Sequence, residues 1–289
     1  MDNRIDIDKI RPLTLNVGYA RHNADWNWKD VYSPFARMYY VTEGRAKVIL
    51  DKDSIELHSG RMYFIPAFTR HSYECNGIFE HYYVHIYEDA RSHYSLLEDL
   101  SMPSELEGSE MDLMLFRRLC EINPTMHLSQ SNPMSYDNQH TLMLNVAFNK
   151  QRSLDKRLES RGILLLLMSR FVSRAIPECR AEDERIRLCI SYIRRHIYEP
   201  ISISELSGIA RVSKDHLIRL FKKECGMTPI KYINLKKIER AQLLLTTENI
   251  AVKEVGYLLG FSDITYFNRV FRNITGISPT QFRQGYIKE

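Results

Sequence analysis

Hydrophobic and polar positions change period twice along this chain. Residues 1–34 are polar and irregular, with an aromatic pair at Trp26 and Trp28. From Phe35 to Tyr87 the apolar residues fall into short runs: Phe35–Val41, Arg45–Leu50, Ser54–Leu57, Arg61–Ile65, His71–Cys75 and Phe79–Tyr87. Glu43-Gly44, Asp51-Lys52-Asp53, Ser59-Gly60, Pro66 and Asn76-Gly77 separate them as turn signals. Short strands at such even spacing predict a small barrel or jelly roll over about residues 15–90. From about Ala90 to residue 176 the period becomes helical. Glu110–Cys120 places Met111, Met114, Leu115 and Leu119 at helical spacing, and Asn123–Asn138 is a polar loop holding Pro124 and Pro133. Leu142–Phe148 and Arg161–Ala175 are helical again, the latter with Ile163, Leu164, Leu167, Met168 and Phe171 on one stripe. A polar, proline-started hinge follows at about 177–184, and Glu184–Ile197 opens the last domain with Ile186, Ile190, Ile193 and Ile197.

That last domain, 185–289, contains one pattern twice. Leu217-Ile218-Arg219-Leu220-Phe221-Lys222, Gly226, Thr228, Pro229 and Tyr232 return fifty residues later as Phe267-Asn268-Arg269-Val270-Phe271-Arg272, Gly276, Ser278, Pro279 and Phe282. Each copy has the grammar of a helix-turn-helix. In the first, Ile203, Leu206 and Ala210 recur at helical spacing, Arg211-Val212 breaks the helix, and Ser213 is the N-cap of the next. Leu217, Leu220 and Phe221 then form the inner stripe, and Gly226 stops the helix where a left-handed residue is needed. In the second, Val252, Val255 and Leu259 form the short helix, Gly260-Phe261 the break and Ser262 the cap. Phe267, Val270 and Phe271 are the stripe and Gly276 the stop. Between the copies Pro229 opens a helix that Ile230–Leu245 continues without a breaker, a span of roughly 24 Å at about 1.5 Å per residue. Two recognition helices so joined can lie about one DNA turn apart on one face.

Charge sharpens this picture. Residues 185–289 hold 18 Lys and Arg against 9 Asp and Glu, while residues 1–184 hold 22 against 27, so the +4 of the 289-residue chain divides into +9 and −5. The basic excess sits with the repeat, as a phosphate-binding surface requires. An apolar content of 44% and a charged content of 26% are ordinary for a globular chain with two cores. The charged start Met1-Asp2-Asn3-Arg4 does not read as a signal peptide, and the longest apolar run, Ile163–Met168, is far too short to cross a membrane. Cys75, Cys120, Cys179, Cys189 and Cys225 are odd in number and never spaced C-x-x-C, which suits reduced thiols in a cytoplasmic protein.

The C-terminal hundred residues resemble the AraC/XylS family of bacterial transcription regulators. The resemblance rests on Arg219-Leu220-Phe221-Lys222-Lys223, Gly226, Thr228-Pro229 and Tyr232, on Ile238-Glu239-Arg240-Ala241 and Leu244-Leu245, and on Gly260-Phe261-Ser262-Asp263, Tyr266-Phe267, Arg269, Phe271-Arg272, Gly276, Ser278-Pro279 and Phe282-Arg283. Gly256 and Ser207 stand where the family commonly has Ala, and Lys236-Lys237 where an Arg is usual. Gly44, Leu57-His58-Ser59-Gly60, Phe64-Ile65-Pro66 and His71 resemble the cupin-type sensor barrel of such regulators. The resemblance implies an α+β, two-domain protein: a cupin-like effector-binding and dimerisation domain over 1–176 and a double helix-turn-helix over 185–289. It also implies a non-enzymatic, sequence-specific activator that binds duplex DNA, dimerises, contacts RNA polymerase and responds to a small polar effector such as a sugar, without a cofactor. A constitutive DNA-binding protein whose barrel only dimerises is the alternative; a cupin enzyme with a DNA-binding tail is a third.

Candidate contacts follow from the helical faces. With Leu217, Leu220 and Phe221 inward, Lys214, Asp215, Ile218, Arg219 and Lys222 point outward; with Phe267, Val270 and Phe271 inward, so do Thr265, Asn268, Arg269 and Arg272. Arg219 and Arg269 suit guanine, Asn268 adenine and Ile218 a thymine methyl, while Lys222 and Arg272 suit phosphates. Ser213 and Ser262, at helix N-termini, can hold phosphates as well as cap. In the barrel, Phe79, His81, Tyr83, His85 and Tyr87 share one strand face, and Arg37, Tyr39, His71 and Tyr73 on neighbouring strands are candidates for the same ligand pocket. By resemblance, sugar-responsive members place such groups at positions like His71, Tyr73, His81 and Tyr83. The plainer reading keeps these side chains in a barrel wall with their polar tips in water. A metal would need His81 and His85 with Glu43, His58 or His71; the cupin resemblance implies that a metal-binding member carries an H-x-H pair before the first turn followed by a Glu, and Tyr39–Gly44 has no such pair, so no metal is expected.

Overall fold

The structure is a computed structural model that describes residues 7–51, 53–88, 96–137, 139–177 and 181–284. Lys52, residues 89–95, Asn138 and the hinge residues Glu178, Cys179 and Arg180 lie outside the described residues. The chain forms two compact units: a sheet unit of 11–89 with 100–176, and a helical unit of 177–289 with 1–10 and 90–99.

The sheet unit contains β1 (Pro12–Asn23), β2 (Ala36–Leu50), β3 (Ser54–His58), β4 (Arg61–Ile65), β5 (His71–Glu74) and β6 (Ile78–Glu88). After the short α1 (Leu96–Asp99) of the helical unit come β7 (Leu100–Ser101), β8 (Glu105–Glu107), α2 (Glu110–Glu121), α3 (Pro133–Tyr136), α4 (Gln139–Gln151), α5 (Leu154–Val172) and β9 (Ile176–Pro177). Seven strands form an antiparallel sheet in the order β1-β6-β2-β4-β8, with β3 and β5 also paired to β2. The first half of β2 lies between β6 and β4, Tyr39 opposite both Tyr83 and Tyr63. Its second half lies between β3 and β5, Val48 opposite both Ile55 and Tyr73.

Two sequence expectations change here. Residues 12–23 are not irregular: β1 pairs along its length with β6, Leu13 facing Tyr87 and Tyr19 facing Tyr82. Glu43-Gly44 is not a turn, because β2 continues through it as a bulge where the register shifts between Val41 and Glu43. Gly44 sits at φ +74°, and a Cβ there would fall 1.8 Å from the Ile78 carbonyl oxygen, so only glycine fits.

On α2 the inward face is Asp112, Phe116 and Leu119, while Met111 and Met114 are exposed, one position away from the expected stripe. A buried acid sets that register. Asp112 completes a capping box with Ser109 and takes Arg170 of α5 at 2.8 Å, so its charge is paired as burial demands. The α5 stripe of Ile163, Leu164, Leu167, Met168 and Phe171 is buried as expected.

The helical unit continues with α6 (Glu184–Arg195), α7 (Ile203–Ala210), α8 (Lys214–Cys225), α9 (Pro229–Thr247), α10 (Val252–Leu258), α11 (Ile264–Thr275) and α12 (Pro279–Arg283). Ile186, Ile190 and Ile193 of α6 pack with Leu206, Ala210, Leu217, Phe221, Tyr232 and Ile233 in one core. Around Phe267 the second core stacks Phe261, Phe271 and Phe282 edge-on, at centroid distances of 5.2–5.9 Å. Burying each such phenylalanine contributes about 1.5–3 kcal/mol. The 19 residues of α9 run about 28 Å and are buried over most of their length, serving both cores.

Candidate nucleic-acid interface and sheet cavity

Capping defines both helix-turn-helix units. α7 opens on a reciprocal box in which Ser202 Oγ accepts from the Glu205 N–H and the Glu205 carboxylate accepts from the Ser202 N–H. It closes on Arg211 in the left-handed region at φ +53°. Ser213 then caps α8, accepting from the His216 N–H at 3.3 Å, and Gly226 at φ +72° ends it. α9 begins as expected, with Thr228 as cap and Pro229 in the first turn.

In the second unit the cap of α11 is Asp263, accepting from the Thr265 N–H at 2.8 Å, and not Ser262. The left-handed residues that end the first helices, Arg211 and Gly260, are 49 positions apart, whereas the caps Ser213 and Asp263 are 50 apart. The second turn is thus one residue longer, and the cap falls one residue later. A carboxylate at this N-terminus satisfies the free N–H groups that a phosphate would otherwise use, so Ser262 is exposed in the turn without the capping role.

The outer faces match the expected exposure with one exception. Lys214, Asp215, Arg219 and Lys222 are exposed on one side of α8, and Thr265, Asn268, Arg269 and Arg272 on one side of α11. Ile218 is half-buried, as is Leu220, because the apolar rim of α8 is wider than its two fully buried residues Leu217 and Phe221. Tyr266 was not anticipated. Its ring lies 5.3 Å below the Arg269 guanidinium, and its hydroxyl accepts from Asn234 of α9 at 3.0 Å, which orients Arg269 outward from a tethered platform.

The sheet unit holds a cavity of about 210 Å³. Tyr39, His81, Tyr83 and His85 line it, as expected; so do His22, Asp25, Trp26 and Tyr136, and a loop over 128–131 that borders it. His81 and His85 are 2% exposed, so these side chains do not hold their polar tips in water. Arg37, His71 and Tyr73 are buried but do not line the cavity. His71 Nε2 and the Tyr73 hydroxyl are 2.8 Å apart, as are the Tyr73 and Tyr39 hydroxyls. Arg37 donates to Ser33 at 2.6 Å and pairs with Asp137 at 3.6 Å. Glu43 and His58 are exposed, away from the buried His81 and His71, and among the described residues no group of three or more His, Cys, Asp or Glu could hold a metal ion.

Hydrogen bonding separates the cavity's polar groups into satisfied and unsatisfied. The Tyr83 hydroxyl accepts from the Leu128 N–H at 2.7 Å, fixing the start of the bordering loop. His85 Nδ1 accepts from Asn16 Nδ2 at 3.3 Å, which leaves the proton on Nε2, and Asn145 of α4 donates to Asn16 Oδ1 at 2.9 Å. His81 Nδ1 and His22 Nε2 are buried with no partner. Burial, with the neighbouring His22, holds the His81 imidazole well below the ordinary histidine pKa; burial, Arg37 and His81 do the same to His85. Burial and Arg37 push His71 down to about 3. The partners of the Arg37–Asp137 pair pull in opposite senses. Arg37 stays charged, while at Asp137 burial outweighs the guanidinium's attraction and raises the carboxyl to about 6.

Two consecutive capped helix-turn-helix units on one linker helix define a double helix-turn-helix DNA-binding domain, and residues 206–285 match the family model described as a helix-turn-helix domain. It is an AraC-type domain. The chain is 34% identical over 104 residues to the arabinose operon regulatory protein of Escherichia coli K12, covering 36% of each chain. It is 29% identical over 147 residues to the probable transcriptional regulator LumQ of Photobacterium leiognathi, covering 50% of this chain and 59% of that one. It therefore spans about a third to three fifths of the length of these curated relatives. Among solved structures, ToxT from Vibrio cholerae aligns over 93% of this chain and 97% of its own at 15% identity, with a TM-score of 0.46.

Proposed function

We propose that this chain is a sequence-specific DNA-binding transcription regulator whose sheet unit, of cupin type, senses a small polar molecule. The observation that carries the first half is the pair of capped helices α8 and α11, each with a buried apolar stripe and an exposed face bearing Arg219 and Lys222 or Arg269 and Arg272. Their N-terminal halves present the side chains that read bases, and the +9 charge of 185–289 supplies phosphate neutralisation. Ser213, Lys214, Asp215, Thr265 and Asn268 belong to the same face; Ser262 joins it as a turn residue. Binding of the full chain to duplexes selected from a random pool tests this. Six to ten phosphate contacts imply a loss of about 10³–10⁵ in affinity between 50 and 200 mM salt. Salt-insensitive binding, or no selected sequence, refutes it.

The second half rests on the two unsatisfied ring nitrogens of the cavity. A buried polar atom left without a partner costs about 1–3 kcal/mol, which a ligand hydroxyl or carbonyl at His81 Nδ1 and His22 Nε2 recovers. Trp26 and Tyr39 offer aromatic edges and faces, and a cavity of about 210 Å³ suits a molecule of monosaccharide size or smaller. On this reading Tyr39, His81, Tyr83 and His85 touch the ligand, while Arg37, His71 and Tyr73 brace the wall behind it. His81→Ala then abolishes the response of a reporter promoter to its effector and leaves DNA affinity intact; an unchanged response places the sensor elsewhere. For assembly we propose a homodimer through α5, on which Leu154 and Leu158 are more than 60% exposed beside the buried stripe. Contact with RNA polymerase, activation and a cytoplasmic setting belong to the same proposal.

A further inference from the structure

Lys237 sits on the linker helix α9 with 3% exposure, a place where an ammonium group is costly unless its donors are used. They are used on two backbone carbonyls from different helix-turn-helix units. The Nζ group donates to Glu199 O at 2.7 Å and to Leu259 O at 2.6 Å, and lies 5.4 Å from the Phe261 ring centroid. Glu199 belongs to the loop between α6 and α7, from which α7 and α8 depart. Leu259 is the C-cap of α10, from which the turn into α11 departs. Carbonyls at a helix C-terminus lack intrahelical partners and carry the negative end of the helix dipole, so a cation is the matched donor there. The two loops touch directly as well. Gly260 has φ +69°, and a Cβ there would fall 2.5 Å from Glu199 C and 2.7 Å from Pro200 N. One cation and one missing side chain thus join the loop that leads into the first helix-turn-helix unit to the turn that leads into α11. Burial, opposed by the Glu199 charge, holds the Lys237 pKa down to about 8.

We propose that Lys237, acting with Gly260, is a positioning residue for operator recognition: it fixes the two helix-turn-helix units at one separation and so sets the spacing of half-sites that the protein accepts. The proposal rests on the DNA-binding reading above. A cation bridging two carbonyls resists both translation and rotation of one unit against the other, whereas apolar packing along α9 alone permits sliding. Each base pair inserted between half-sites moves the second by about 3.4 Å and turns it by about 34–36° about the duplex axis. A fixed pair of helices then loses the base contacts of one unit.

The test takes the bipartite duplex that the full-length chain selects from a random pool and varies the spacer by one and two base pairs each way. For the wild-type chain, one base pair of change costs about tenfold or more in affinity, the loss of roughly one good base contact. Lys237→Met keeps length and apolar bulk but removes the bridge. It should flatten the profile to less than about threefold across all spacers while keeping wild-type affinity for a duplex with one half-site. Lys237→Arg, which supplies the same charge and donors, should restore the sharp optimum. Gly260→Ala, which forces the Glu199–Pro200 backbone away, should shift or flatten the profile with Lys237 intact, and decides the matter if Lys237→Met does not fold. A Lys237→Met profile of wild-type shape, even at uniformly weaker affinity, overturns the proposal, because it shows a merely structural lysine. If the wild-type chain selects only a single half-site, the positioning proposal falls and DNA binding stands. If it selects nothing, both fall.

Discussion

Acidification should unfold the sheet unit well before it disturbs the helical one, and the size of the effect follows from three buried histidines. His71, His81 and His85 are each 2% exposed and are held neutral in the folded chain by burial and by the charge of Arg37 or a neighbouring histidine. In the unfolded chain each titrates near pH 6.5. A base whose folded pKa is depressed contributes no penalty above about pH 6.5, and stability is lost as pH falls through that value, since the unfolded state alone takes up the proton. At pH 5 the loss is about 2 kcal/mol per histidine, or about 6 for three. Asp137 works in the other direction. Its folded pKa of about 6 exceeds the unfolded value of 3.8, so the native state takes up a proton first as pH falls, recovering on the order of 1 kcal/mol at pH 5. That recovery is an upper limit, because the Asp137 side chain keeps 10% exposure. A net loss of about 4–6 kcal/mol remains, comparable with the whole stability of many domains.

Both tryptophans of the chain, Trp26 and Trp28, lie in the sheet unit, so tryptophan emission reads its unfolding alone. Trp26 is 4% exposed and stacks on Tyr73 at 4.0 Å, and unfolding should shift its emission to the red. With a urea slope of about 2 kcal/mol per molar, the midpoint should fall by about 2–3 M between pH 8 and pH 5. His85→Gln should remove about a third of that shift. An equal or higher midpoint at pH 5 would refute the reasoning, for it would mean that the folded chain protonates these imidazoles as readily as water does.

At the DNA face, Arg219→Ala and Arg269→Ala should each cost about 1–3 kcal/mol on a selected duplex and much less on random DNA, while Lys222→Ala should weaken both alike; equal losses on both DNAs for all three would mean that none reads a base. On α5, Leu158→Glu should weaken self-association by about 2 kcal/mol or more, roughly thirtyfold, and sedimentation velocity should then show monomer where the wild-type chain is dimeric; an unchanged distribution removes α5 from the interface.

What the sequence made legible, and what it hid, divides along the reach of the interactions. The helix-turn-helix units were readable because their determinants are local: Ser213 caps a helix three residues from its hydrogen-bond donor, and Gly226 and Gly276 take the left-handed conformation that ends a helix. The one error there was equally local. The offset of fifty that aligns the recognition helices carries Ser213 onto Asp263, but Ser262 beside it is an equally good capping residue by type, and only the hydrogen bond from the Thr265 N–H distinguishes the two. The sheet unit was harder because its signals are ambiguous over short range. Glycine at a positive φ has the same appearance in a turn and in a bulge, and only the Ile78 carbonyl, 34 residues away, shows that Gly44 belongs to a continuous strand. Leu13, Leu15, Val17 and Tyr19 do alternate, yet polar neighbours mask β1, and with it the part that Tyr19 and His22 play in lining the cavity.

Long-range polar pairs left no trace in the sequence at all. Asp112 turns the inner face of α2 only because Arg170 meets it from a helix 58 residues on, and no periodicity rule assigns an acid to a core. The same holds for Lys237, which the sequence shows only as the second of two adjacent lysines in a helix. Its role comes from two carbonyls, 38 residues before it and 22 after it, that converge on one point because the surrounding helices are packed. Local patterns therefore identify each DNA-reading helix, and long-range polar contacts decide how two such helices stand to each other. For a protein with two recognition helices on one chain, the first determines which bases are read and the second how far apart they must lie.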